Sequence, residues 1–139
     1  MSRNLATVIA VLCAVLTVTG CGSDDKPRSD RDQVREVVER FNDAFSGGDY
    51  GDACDLMHSH RRQQLEDGRG LACEEILADA AGIEARLVEA LADVRITSIS
   101  IQQDVANVSV EGPSVGASQA MVERDGDRGW RLSESAAGL

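Results

Sequence analysis

Aromatic side chains are scarce in this chain of 139 residues: one Trp, one Tyr and two Phe make up 3% of it. Any pocket would therefore be lined mainly by Val, Ile, Leu and Ala, which hold an apolar ligand with little control of its orientation. Positive charge is scarce as well, 14 Lys and Arg against 24 Asp and Glu, for a net of −10. That balance argues against nucleic acid as a partner, because phosphate contacts need clustered cations. Only two prolines occur, and collagen-like, coiled-coil and low-complexity classes all fail on composition. A nucleophile elbow, a phosphate-binding Gly loop, a dinucleotide fingerprint and a His-Glu-x-x-His helix are all missing, so no cofactor is expected. The length suits one domain.

What is present begins with an export signal. Met1 to Asn4 carries one positive charge and no acid, and residues 5–18, LATVIAVLCAVLTV, carry no charge at all. Crossing a bilayer core of ~30 Å takes roughly 20 apolar residues, so this run is short for a span and suits a signal peptide. It ends in Val18-Thr19-Gly20-Cys21, which resembles the bacterial lipobox. That resemblance implies a diacylglyceryl group on the Cys21 thiol and cleavage between Gly20 and Cys21. Residues 1–20 would then be the signal peptide and residues 21–29 a lipidated tether, polar and flexible. Cleavage removes one cation, Arg3, and no acid, leaving 13 basic and 24 acidic residues, a net of −11. Such a surface is repelled by anionic headgroups, so the membrane would be held through acyl chains on Cys21. The expected location is the cell membrane, lipid-anchored on the extracytoplasmic face.

Residues 30–139 read as the domain. Asp30 with Gln33 looks like a helix start, and Val34, Val37, Val38, Phe41, Ala44 and Phe45 repeat at helical spacing until Gly47-Gly48. Asp49 can cap a second helix bearing Tyr50, Ala53, Cys54 and Met57, which the polar stretch from Ser59 to Glu66 continues up to Gly68-Arg69-Gly70. A third stripe holds Cys73, Ile76, Leu77, Ala80, Ile83, Leu87 and Leu91, with an interruption at Gly82. From Val94 the period changes to two. A bulge near Thr97-Ser98 would put Val94, Ile96, Ile99 and Ile101 on one side. Ala106, Val108 and Val110 alternate in the next strand, and residues 119–124 and 130–134 flank an Asp-Gly hairpin turn. Three helices followed by an antiparallel meander give an α+β fold. Val94, Ile96, Ile99, Ile101, Val108, Trp130 and Leu132 are expected in its core.

The run VREVVERFNDAFSGGDYGDACDLM, with Gly48-Asp49-Tyr50, the Ala53-Cys54-Asp55-Leu56 helix and the closing Gly129-Trp130-Arg131-Leu132 strand, resembles nuclear transport factor two-like domains. These are also described as cystatin-like or ketosteroid-isomerase-like. Many small actinobacterial lipoproteins combine a lipobox, a tether and such a domain with two cysteines. The resemblance implies N-terminal helices packed on a curved antiparallel sheet, cone-shaped, with a pocket at the open end. Isomerases and dehydratases of the superfamily place Asp, His or Tyr there, and none of their catalytic residues maps onto a matching motif in this chain.

Cys54 and Cys73 remain after Cys21 is lipidated and Cys13 leaves with the signal. An oxidising compartment favours a disulfide between them, worth about 3 kcal/mol for a loop this long. Both lie on inward helix faces, and a Cα separation of about 5–6 Å would suit a bridge. Buried free thiols and a zinc site of Cys54, His58, His60 and Cys73 are the alternatives. On one continuous helix His58 and His60 would be about 200° apart, so both could ligate only if that helix breaks. His58-Ser59-His60-Arg61-Arg62 is either an anion- or base-bearing site or a solvated helix face. Tyr50 could donate to an oxyanion or simply pack its ring, and Asp125-Gly126-Asp127 lacks the calcium-loop pattern and reads as a turn. Tyr50, His58, His60 and Trp130 are the candidate pocket residues. No catalytic and no metal residue is assigned. The expected function is non-enzymatic binding of a small apolar ligand or a partner protein. An isomerase or dehydratase using a pocket histidine, and a purely structural module, are the competing readings.

Overall fold

The structure, a computed structural model, describes residues 28–136. The signal peptide at 1–20, Cys21 and most of the 21–29 tether lie outside the described residues, as do residues 137–139.

Helix α1 spans Asp30–Gly47 and buries Val34, Val37, Val38, Phe41 and Phe45 along one stripe. It starts one residue earlier than the Asp30–Gln33 pairing predicts. Ser29 is the N-cap, its hydroxyl accepting from the Asp32 N–H at 3.2 Å, while the Gln33 side chain reaches back to the Arg28 carbonyl. A hydroxyl at this place satisfies an orphan amide as well as a carboxylate does, and Asp30 is left for a partner elsewhere. Gly48, at φ +80°, ends the helix in the left-handed conformation that glycine adopts without strain.

Asp49 then caps helix α2, Tyr50–Leu56, by accepting from the Asp52 N–H. The expected continuation of this helix through Ser59 is overturned. Met57 turns extended and forms a parallel bridge with Leu132, and the His58 N–H donates to the Leu132 carbonyl at 2.8 Å. The polar stretch is a separate helix α3, Ser59–Arg69, ended by Gly70 at φ +66° and carrying no buried residue. The third expected helix is also divided, at Glu84 rather than at Gly82, into α4, Cys73–Ile83, and α5, Ala85–Ala92. Among the described residues five α-helices therefore stand where three are expected.

Four strands follow: β1 Arg95–Gln102, β2 Val105–Gly112, β3 Gly116–Arg124 and β4 Trp130–Glu134, antiparallel and in sequence order. A register shift between Ile96 and Ser98 pairs Ile96 with Val110 and Ile99 with Val108. The bulge expected at Thr97-Ser98 is there. Ile99 is buried, and Val94, Ile96 and Ile101 pack partly buried against the same core. A second shift lies between Met121 and Val122, and extra residues of this kind add bend and twist to a sheet. The β3–β4 connection is the hairpin announced by Asp-Gly. It is longer than a two-residue turn, with a short 3-10 segment at Gly126–Arg128 and Asp125 N–H donating to the Gly129 carbonyl.

The result is an open α+β sandwich of helices on one face of the sheet. Ala106, Val108, Val110, Ala120, Val122, Trp130 and Leu132 share one core with the stripe of α1, which lies on the sheet, while α2, α4 and α5 pack on α1 and on one another. Trp130, Phe41, Phe45, Met57 and Leu77 are the bulkiest side chains in that interior, each almost wholly buried. No described helix is long and apolar enough to cross a membrane.

Candidate functional site

Helices α1 and α2 meet the start of β4 to form an open groove of about 670 Å³. Helix α1 offers Gln33, Glu36, Val37 and Arg40, spaced to share one face, and α2 offers Asp52, Asp55 and Leu56 in the same way. Arg128, Trp130 and Arg131 close it from the β3–β4 turn and β4. Val37, Leu56 and Trp130 belong to the core, so the groove has an apolar floor and a charged wall. Arg28 is paired with Glu36, and Arg128 donates to the Asp125 carboxylate at 2.8 Å and to the Asp55 carbonyl at 2.9 Å. Arg131 is different. One end of its guanidinium donates to the Trp130 carbonyl at 2.7 Å, but its Nε is buried with no acceptor among the described residues. Burial, joined by the nearby cations Arg128 and Arg40, lowers the pKa of Arg131 against the pull of Asp125 and Asp55. It stays protonated all the same.

The candidate pocket residues do not converge. Tyr50, at the start of α2, sets its ring edge-on to Phe45 with 5.8 Å between centroids. His58 is the N-cap of α3: its Nδ1 accepts from the His60 N–H at 3.2 Å. The other ring nitrogen of His58 lies 3.8 Å from Asp125. His60 is exposed and meets Gln64 at 3.0 Å. Trp130 alone of the four lines the groove, its indole N–H donating to Asp30 at 3.1 Å.

Cys54 and Cys73 are joined in a disulfide, with Cα atoms 6.1 Å apart and both residues 1% exposed. The sulfurs are bonded to each other, so neither is free to serve as a thiolate, and the free-thiol and zinc readings both fall. The helix break that the zinc set required does occur, but it turns His58 toward Asp125 instead.

Two carboxylates that the sequence marks only as a helix start and a turn residue organise this end of the molecule. Asp125, in the β3–β4 turn, accepts from both the backbone N–H and the hydroxyl of Ser59, at 3.0 and 2.8 Å, and so caps α3 from across the fold. Burial pushes its pKa up, but the Ser59 hydrogen bonds and the charges of His58 and Arg128 outweigh that and hold it below the usual carboxylate value. Serine, histidine and aspartate stand together here without forming a relay, because Ser59 and His58 each face Asp125 rather than being strung in series. Asp30 accepts from the Trp130 indole and from Arg124, at 3.1 and 2.6 Å, and these two hydrogen bonds lower its pKa. The Arg124 guanidinium also sits over the Trp130 ring, 4.6 Å from its centroid. An N-terminal acid before an arginine and a tryptophan a hundred residues later is no local pattern. A sequence alone does not join them.

Compared with known proteins, the chain matches no family model, no curated protein and no solved structure.

Proposed function

We propose that the chain is an exported lipoprotein held on the extracytoplasmic face of the cell membrane by acyl chains on Cys21. Its nuclear transport factor two-like domain would bind a small ligand without transforming it. The Cys54–Cys73 bridge carries the reading. A buried disulfide in a small domain belongs to an oxidising compartment, which is where a lipobox sends a chain. The helices-first, meander-last order supports the domain assignment.

The groove between α1, α2 and β4 is the recognition surface of this proposal. The apolar side chains that were to line a pocket are packed against one another in the core. The groove's mixed lining therefore favours an amphipathic ligand over a wholly apolar one. A histidine-based isomerase finds less support: His58 makes the bonds of a helix cap, and His60 is exposed.

Two experiments test the reading. Labelling with a fatty-acid analogue should mark the wild type, and Cys21→Ala should abolish the label and free the protein from the membrane or leave it unprocessed. Equal labelling of the variant would remove Cys21 as the lipid site. Native mass spectrometry of the full-length protein, extracted in mild detergent from its own host, should show a co-purified small molecule besides the anchor.

A further inference from the structure

Resting on the groove as the ligand site, we infer that it grips a singly charged oxyanion, a carboxylate or a phosphodiester, between Arg131 and Arg40, with Arg128 beside them. In a protein with 24 acids and 14 bases, cations ordinarily find carboxylates, and several here do: Arg28 with Glu36, Arg62 with Asp55 and Glu66, Arg124 with Asp30, Arg128 with Asp125. Arg131 and Arg40 line the groove with no described carboxylate in ion-pair range.

An unpaired surface arginine means little, since water serves it well. Arg131 is not in that position, because its Nε is shut away from solvent and from every described acceptor. A buried, unpaired N–H is unfavourable, and here it stands beside two more guanidinium groups. Burial first, and then repulsion from Arg128 and Arg40, disfavours the charged Arg131, and the repulsion is what a bound anion would relieve. Guanidinium groups present planar forks that match carboxylate and phosphate oxygens.

The same groove limits the charge it can accept. Asp52 and Asp55 line it as well, from α2, and they would repel a phosphate monoester of nearly two charges more than a single one. The floor of Val37, Leu56 and Trp130 leaves room for an apolar remainder, so the ligand has an acidic head and an apolar body.

The test uses the full-length protein in a neutral detergent, followed through the Arg131 Nε–H resonance and the fluorescence of Trp130, its one tryptophan. Acetate and diethyl phosphate are the probes for the two sources of a monoanion, with inorganic phosphate as the dianion and chloride as the ionic-strength control. Saturable shifts with acetate or diethyl phosphate, weaker with inorganic phosphate and absent with chloride, are expected. Whichever monoanion binds tighter names the source. Arg131→Gln should weaken binding at least tenfold. Arg40→Gln, an exposed change that leaves the core alone, should weaken it severalfold. Linear shifts identical to those in chloride would overturn the proposal. So would tighter binding of the dianion, or affinity unchanged in both variants. If acetamide binds as well as acetate, the charge assignment falls while the groove stands as a ligand site. Native mass spectrometry of the co-purified ligand judges the groove reading on its own.

Discussion

Asp125 shows how much one side chain can hold. It receives two hydrogen bonds from Ser59, one from Arg128 and the approach of His58, so it fastens the start of α3 to the β3–β4 turn. Hydrogen bonds to a charged group contribute about 1.5–3 kcal/mol each in favourable settings, and Asp125→Asn should cost about 1–2 kcal/mol at neutral pH. The pH dependence has a definite sign. Its folded pKa is below the unfolded value of about 3.9, so the stabilisation is fully present above that pH and disappears as pH falls through the folded value. Asp30 is lowered as well and acts in the same window. Urea midpoints of wild type and Asp125→Asn should therefore differ at pH 6 and draw together toward pH 3. A gap that stays constant across this range would mean that the carboxylate charge is not what matters.

At the scale of elements, legibility followed locality. The stripe of α1, the stop at Gly48, the Asp49 cap, the Ile96–Ser98 bulge and the β3–β4 hairpin are each written in a few adjacent residues, and each was readable. The break after Leu56 was not, because its cause is Leu132, which draws Met57 and His58 to the edge of β4. The groove escaped for the same reason. The alternation of the last strand places Trp130 in the core, where it is, while nothing near Arg40 or Arg131 tells that α1 and β4 bring them to one place. The readable features also make separable predictions. Gly48 sits at φ +80° and Gly47 ends the helix with open space around it. Gly48→Ala should thus cost about 1–2 kcal/mol, while Gly47→Ala should be neutral or stabilise by up to about 1 kcal/mol. Thermal melts of the pair check this, and equal effects would contradict the left-handed stop.

For the molecule as a whole, the Cys54–Cys73 bridge decides how the helical layer coheres. It joins the middle of α2 to the first residue of α4, and between them lies α3, which buries nothing of its own. That helix is held at its ends instead: by Asp125 at the start, and near its finish by Glu66, which accepts from the Cys73 N–H at 3.2 Å. In the chain-entropy account a loop of this length, with the cysteines 19 positions apart, contributes about 3 kcal/mol. For a domain this small that is a large share of a total of about 5–15 kcal/mol. Reduction, or the double change Cys54→Ala and Cys73→Ala, should lower the melting temperature by roughly 10 °C. The loss should also be uneven. The sheet and α1 form their core without the sulfurs, whereas α3 adds only the partly buried Leu65 and the Arg62–Asp55 pair to its end contacts, so amide exchange should quicken first in residues 59–69 and last in β2 and β3. Linked peptides containing Cys54 and Cys73 in the non-reduced protein would accompany this result. A reduced protein that melts within a degree or two of the oxidised one, with α3 still protected, would show that Asp125 and Glu66 suffice to hold the layer.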